Sequence, residues 1–334
     1  MPAFQYANPP AILWGNGSVA HLTAELNRLG SKWPAVVTTR SLVKSLPLLQ
    51  LFTQGPATAV VGQHAPIKDV EAAIHQADEA DADGVVSFGG GSPIDAAKIV
   101  TLRLGERRHV LRGTLPHIAI PTTLSVAELA AGAGFTDETG TKGGMRDPKL
   151  LPDVVIYDAE LTLQTPMELW LSTGIRALDH AVEGYLADGG QPFNDVMALE
   201  AIRRMFDSLP RAKANPTDLD VRTENQLAAW FSFTLPGASA SGLSHVMGKQ
   251  IGARHGIPHG VTSCLLLPHV MRYLGRAKTL PVSADDVYGL IGQLGLPQHI
   301  RDYGIGEPEL KKAASELAGK YPEQDLLRIY LAAL

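Results

Sequence analysis

The 334 residues are 45% hydrophobic and 19% charged, which supplies packed cores but interrupts the apolar runs too often for a membrane bundle. A formal net charge of -5 leaves no basic surplus to neutralise a nucleic-acid backbone, and the single cysteine, Cys264, excludes an intrachain disulfide and a Cys-rich zinc site. The length favours two domains. The start, Met1-Pro2-Ala3-Phe4, carries no basic region followed by an apolar one, so the expectation is a cytoplasmic protein without membrane or nucleic-acid partners.

Through the first half, short apolar runs at 35–39, 57–61, 84–88, 117–120 and 154–157 predict strands, and Gly15-Asn16-Gly17-Ser18 reads as a turn. Between the second and third runs, residues 67–82 set Val70, Ala73, Ile74 and Ala77 on one helical face. Such alternation with nearly continuous apolar strands predicts a parallel sheet covered on both sides. Residues 134–152, rich in Gly, Asp, Thr and Lys, read as a loose loop. From about Thr165 the strands vanish. Helical patterns occupy 166–187, 195–209, 223–233, 239–251, 262–274, 284–294, 307–318 and 324–334, the first with Thr165 as expected cap, Pro166 in the first turn and Glu168 third. The fold class is therefore an α/β N-terminal domain with a parallel sheet, residues 1–160, followed by an all-α C-terminal domain, residues 161–334.

Gly89-Gly90-Gly91-Ser92-Pro93-Ile94-Asp95 follows an apolar strand and opens a helix, with Ser92 as expected N-cap. Glycines let backbone approach a ligand closely, and unpaired N–H groups at a helix start attract an anion, so the expected guest is a phosphate or pyrophosphate. Ile94 and Asp95 exclude a Walker loop, and Ile94 also occupies the last glycine of the G-x-G-x-x-G pattern. Thr122-Thr123 follow another strand, at the sheet end where open α/β folds bind ligands.

The helical half holds His180, His245, His255, His259 and His269. Arg176 and His180 are four residues apart and share a helix face, as do His245 and Lys249, while His259 lies at a helix-to-helix connection. Three imidazoles suit a divalent zinc or iron ion, but Arg176 would repel it, and Asp179 points about 100° away from His180 on a helix. On charge grounds no metal is expected; were one bound, His180, His245 and His259 would hold it. Arg176 reads instead as an anchor for an anionic substrate group, because its planar fork fits a carboxylate.

These motifs, Gly89-Gly90-Gly91-Ser92 with Asp95 and Lys98, Pro121-Thr122-Thr123, Gly174-x-x-Ala177-Leu178-x-His180-Ala181-Val182-Glu183, His245 with His259, and Leu267-Pro268-His269, resemble the iron-containing (group III) alcohol dehydrogenase family over nearly the whole chain. The resemblance implies a dinucleotide-binding α/β domain, a helical catalytic domain, hydride transfer between NAD(P)H and a carbonyl in the cleft between them, and a homodimer. Metal-binding members use one Asp and three His. Here Arg176 stands at the Asp position and Lys249 replaces a further active-site His, which is similar to the metal-free maleylacetate reductase branch, as is Arg146-Asp147-Pro148-Lys149-Leu150-Leu151-Pro152. That branch, however, usually has a neutral residue at the position of Arg176.

The resemblance assigns Gly89, Gly90, Gly91, Ser92, Asp95, Thr122 and Thr123 to the cofactor. Thr39-Arg40 stands where relatives often carry an acid on the ribose 2′-hydroxyl, so NADPH should be accepted. The catalytic set is His180, His245, His259, Arg176 and Lys249, with Arg176 on a substrate carboxylate and His245 or His259 donating the proton. The expected reaction is reduction of a carbonyl or alkene-conjugated keto group in a small anionic substrate. The alternatives are a metal-dependent alcohol dehydrogenase, a dehydrogenase of phosphate or phosphonate substrates, and an inactive nucleotide-binding protein.

Overall fold

The structure is a computed structural model and describes residues 8–49, 57–187, 191–234, 242–275 and 280–334. Two compact units emerge, one from the chain up to Thr165 together with Thr217–Gln226, the other from Pro166–Pro216 and Leu227–Leu334. A single boundary after residue 160 does not accommodate Thr217–Gln226: Arg222 is buried there, and its Nη1 donates to the carbonyl and hydroxyl of Thr162, each at 3.0 Å.

In the first unit the strands are β1 (Ala11–Trp14), β2 (Pro34–Thr38), β3 (Thr58–Val60), β4 (Gly84–Gly89), β5 (His117–Pro121), β6 (Gly132–Thr136), β7 (Lys142–Arg146) and β8 (Val154–Tyr157). Its helices are α1 (Leu22–Arg28), α2 (Ile67–Glu79) and α3 (Gly91–Arg107). Six strands form one parallel sheet in the order β1-β8-β5-β4-β2-β3. Every residue of β2, β4, β5 and β8 is buried, because each strand faces apolar side chains on both sides. Val37 and Val85 pack with Val70, Ala73 and Ala77 of α2 and Val100 of α3, whereas the adjacent Val36 and Val86 turn the other way, onto Leu22 and Leu26 of α1. From β2 the chain moves outward to β3, then returns to place β4 on the opposite side of β2. The carboxyl ends of β2 and β4 therefore flank a topological switch point, the position where such sheets bind ligands.

Three details differ from the sequence reading. The edge strand β1 is additional; its four residues are too few to declare a pattern. Residues 134–152 are not a loose loop: β6 and β7 form an antiparallel hairpin whose turn is closed by Asp137 Oδ1, accepting the N–H groups of Thr139 (2.9 Å) and Thr141 (2.8 Å). Finally, Thr165 does not cap the long helix, which begins after Pro166; its hydroxyl donates instead to the Thr122 carbonyl at 2.7 Å.

The second unit is helical: α4 (Met167–Leu186), α5 (Pro192–Ala214), α6 (Leu219–Ser232, its first part counted with the other unit), α7 (Leu243–His255), α8 (His259–Leu274), α9 (Ala284–Gln293), α10 (Glu307–Leu317) and α11 (Glu323–Ala332). Residues 239–241 of the helix expected over 239–251 lie outside the described residues. Helix α4 packs on α5, α7 and α8, and a core of Met247, Ile251, Leu265, Leu266, Ile329 and Tyr330 joins α7 and α8 to α11. Among the described residues no helix is long and apolar enough to cross a membrane.

Candidate active site

The glycine turn joins β4 to α3 at the switch point. Gly89 has φ +145°, a conformation open to glycine alone, and a Cβ on Gly90 would stand 3.0 Å from Thr123 Cγ2. Gly90, not Ser92, is the N-cap, and having no side chain it makes no cap hydrogen bond, which suits the first amides of the helix to a ligand. Ser92 lies inside the first turn, where its Oγ accepts the His64 N–H at 2.9 Å. The Thr122 N–H donates to the Gly89 carbonyl at 2.9 Å, and Thr123 Oγ1 to Ser125 Oγ at 3.2 Å, which sets the end of β5 against the turn. This arrangement fits a pyrophosphate.

Asp95 and Lys98 serve the wall of this turn. Asp95 Oδ2 accepts the Gly134 N–H at 3.0 Å, and burial pushes its pKa up to about 6. The ammonium of Lys98, fully buried, donates to the carbonyls of Ala127 (2.6 Å), Ala130 (2.7 Å) and Gly132 (2.8 Å), tying α3 to the segment that leads into β6. Within that segment Val126 adopts φ 56°, rare for a β-branched residue, and Glu128 is buried with its Oε1 accepting the Tyr157 hydroxyl at 2.8 Å. Thr39 and Arg40 follow β2 at the switch point; the Thr39 hydroxyl meets Ser41 Oγ at 3.1 Å, and the Arg40 side chain is exposed.

In the helical unit the site starts from one stripe. Helix α4 is buried from Trp170 to Gly184, and Arg176, Asp179, His180 and Glu183 stand at i, i+3, i+4 and i+7, one polar seam along an otherwise apolar helix. Asp179 points away from His180, as expected, but lies three residues from Arg176 and shares its face, so a carboxylate does offset the guanidinium. Arg176 Nη1 donates to Asp179 Oδ2 at 3.4 Å and to Ser263 Oγ of α8 at 3.0 Å, while Asp179 Oδ2 also accepts the hydroxyls of Ser263 (2.6 Å) and Ser244 (2.9 Å). Glu183 accepts the N–H groups of Gly242 (2.9 Å) and Ser244 (2.5 Å), capping α7. The two carboxylates of α4 thus fix the helices that carry the other histidines. Burial lowers the Arg176 pKa against the opposing charges of Asp179 and Glu183. Burial likewise raises Asp179, and it raises Glu183 together with the neighbouring Asp179 charge. The periodicity of the seam was the signal for Asp179 and Glu183; for Ser244 and Ser263 the sequence holds none.

His180, His245 and His259 do come together. The His180 and His245 rings are 5.7 Å apart between centroids, and His245 stacks on His259 at 6.4 Å with 18° between planes. Phe233 meets the His180 ring edge-on at 5.1 Å. His259 opens α8 after the left-handed Gly256 (φ 67°) and Pro258 end the preceding turn. Arg176 Nη2 lies on the His245 ring, in contact with Nδ1 and 3.2 Å from Nε2. Lys249 is exposed and makes no hydrogen bond or ion pair with this cluster among the described residues. His269 stands apart, edge-on to Tyr288 at 6.3 Å, with its pKa lowered to about 4 by burial and then by Arg272. Burial raises the Cys264 thiol pKa well above its ordinary value.

A divalent ion held by the three histidines would meet the Arg176 guanidinium, which already touches the central imidazole and opposes it in charge. The sequence matches the family model for iron-containing alcohol dehydrogenase over residues 9–159 and its C-terminal counterpart over 170–284. The chain belongs to the iron-containing alcohol dehydrogenase family. Its similarity runs to the maleylacetate reductases: 33% identity over 331 residues with the enzyme of Sphingobium indicum, covering 94% of this chain and 90% of that protein. The maleylacetate reductase of a Rhizobium species is 33% identical over 337 residues, covering 96% and 93%. The crystal structure of a Rhizobium maleylacetate reductase superposes with a TM-score of 0.87 at 29% identity, covering 100% of this chain and 99% of that one. This family member is therefore an NAD(P)-dependent oxidoreductase of the maleylacetate reductase-like branch.

Proposed function

We propose that the chain reduces a carbonyl, or a keto group conjugated to an alkene, in a small carboxylate-bearing substrate, with NAD(P)H and without a bound metal ion. The observation that carries this reading is the Arg176 guanidinium on the imidazole cluster. A bound nicotinamide supplies the hydride. The remaining requirements are charge stabilisation and a proton, and both come from side chains of the helical unit. Nη1 of Arg176 is engaged by Asp179 and Ser263, so among the described residues Nε and the second hydrogen of Nη2 are the donors left for a substrate carboxylate. His245 or His259 delivers the proton, with the other imidazoles polarising the carbonyl. Lys249, exposed one turn after His245 on α7, carries no step in this scheme.

Protein purified without added metal should reduce maleylacetate or a related keto acid, with turnover unaffected by a chelator. Stoichiometric zinc or iron together with chelator-sensitive turnover would overturn the reading. For cofactor choice, Arg40 at the end of β2 is a partner for a 2′-phosphate, and both cofactors should serve. Arg40→Ser should lower kcat/KM for NADPH by about tenfold and leave NADH unchanged; equal effects on both would remove Arg40 from cofactor recognition. Family membership supports a homodimer, which sedimentation velocity tests.

A further inference from the structure

Arg176 is almost wholly buried, and a guanidinium left alone in such a place carries a large desolvation cost. It is not alone. Asp179 Oδ2 and Ser263 Oγ engage Nη1 from one side, the Ser263 hydroxyl itself donates to Asp179 at 2.6 Å, and the Ser244 hydroxyl adds a further bond to the same oxygen at 2.9 Å. Nη2 then has one orientation, on His245. Remove the carboxylate and, among the described residues, the guanidinium keeps as hydrogen-bond partners a serine hydroxyl and an imidazole, neither of which balances its charge, with Glu183 acting on it without a hydrogen bond.

We propose that Asp179 is the positioning residue of this site: itself oriented by Ser244, it holds the Arg176 guanidinium against His245 directly and through Ser263, so that the fixed positive charge of the cluster is a guanidinium seated on a buried carboxylate. Asp179 touches neither substrate nor cofactor in this scheme; it acts through Arg176. The inference rests on the proposed reduction of a carboxylate-bearing substrate for its kinetic consequences, but the seat itself is a binding property that is measured without turnover.

That property is the first arm of the test. Arg176→Ala leaves a cavity lined by Asp179 and Ser263, and millimolar guanidinium chloride, compared with sodium chloride at equal ionic strength, should raise its Tm and bind in calorimetry. Arg176→Ala combined with Asp179→Asn should lose the binding by at least about tenfold, and the wild type, whose seat is filled, should show no such rise. Equal guanidinium binding by the single and double variants would overturn the proposal. In the second arm Asp179→Asn, nearly isosteric, should lower kcat/KM for the keto acid by about 10- to 100-fold while the Kd for NAD(P)H, read from nicotinamide fluorescence, stays unchanged. Wild-type kcat/KM in Asp179→Asn would overturn it as well. If Arg176→Ala fails to fold, Arg176→Lys is used in the same pairing with Asp179→Asn, and full additivity of the two substitutions in kcat/KM counts against the proposal. Absence of keto-acid turnover in the wild type would instead refute the proposed function and leave the guanidinium-binding arm to decide on Asp179.

Discussion

At residue 176 the chain carries a buried cation, and Asp179 and Ser263 are placed to receive it. Replacing it by Asp would place three carboxyl groups, at 176, 179 and 183, along one buried seam with no positive charge among them. Each would resist ionisation unless a cation arrived. Arg176→Asp should therefore lower Tm in the absence of metal and recover on addition of zinc, with about 2.7 kcal/mol of stabilisation at a hundred times the Kd. Isothermal titration should show one zinc per chain, absent from Arg176→Ala. Failure of Arg176→Asp to bind zinc would mean that His180, His245 and His259, although within 5.7 to 6.4 Å of their neighbours between ring centroids, no longer converge on a common point. The same seam shows what a sequence discloses at this scale. Spacing alone puts Arg176 and His180 on one face; Asp179, adjacent to His180 in sequence, points away from it, and only the three-residue interval back to Arg176 shows it as the partner of the guanidinium.

Helices α4, α7 and α8 must approach closely for three histidines from three helices to meet, and the approach depends on small residues. A Cβ on Gly260 would stand 2.7 Å from the carbonyl carbon and oxygen of Ser172 and 3.0 Å from the Thr173 nitrogen, all backbone atoms that cannot rotate away. Gly260→Ala should push the start of α8, and with it His259, off α4. We expect a loss of about 1 to 3 kcal/mol in stability and up to about a hundredfold in kcat, with NAD(P)H affinity unchanged. Gly289→Ala in α9 is the control: nothing lies within 4 Å of its Cβ position, so it should stabilise the helix by about 0.5 to 1 kcal/mol. An inert Gly260→Ala would show that helix contact does not set the His259 position. At this scale the sequence disclosed its long elements well, since the five apolar runs are strands and, of the four residues expected on one face of α2, Val70, Ala73 and Ala77 are buried and Ile74 is partly buried against the same core. It disclosed little of the β6–β7 hairpin, whose glycine-rich strands carry no alternation and are held by outside groups, Asp95 and Lys98. Caps misled for a related reason: Ser92 and Thr165 have cap chemistry, but their hydroxyls serve tertiary bonds to His64 and Thr122.

For the molecule as a whole, the α/β unit carries buried titratable groups of both signs, and they act oppositely on stability. His117, buried against Ser87 Oγ at 2.9 Å, has its pKa lowered by burial, then by Lys98 and Arg112, from 6.5 to about 3. It stays neutral in the native state while the unfolded chain takes up a proton below about pH 6.5, so its contribution is lost as pH falls towards 3. Glu128 runs the other way. Burial raises it from 4.5 to about 7, so the native state keeps a proton that the unfolded chain releases, and its contribution, complete below about pH 4.5, is lost as pH rises through 7. Asp95, raised by burial to about 6, reinforces Glu128. Between about pH 4.5 and 6 the two carboxyl groups outweigh His117, so on these three groups the stability of this unit should fall as pH rises through that range. Single substitutions unmask each slope. Glu128→Gln, which can still accept from Tyr157, should make the protein less stable at pH 4.5 than at 7.5, a change of about 2 to 3 kcal/mol relative to wild type across that range. His117→Asn should shift the balance in the opposite direction. Urea unfolding of the three proteins at pH 4.5, 5.5, 6.5 and 7.5 measures this directly; three parallel curves would mean that neither group titrates differently in the folded and unfolded chain.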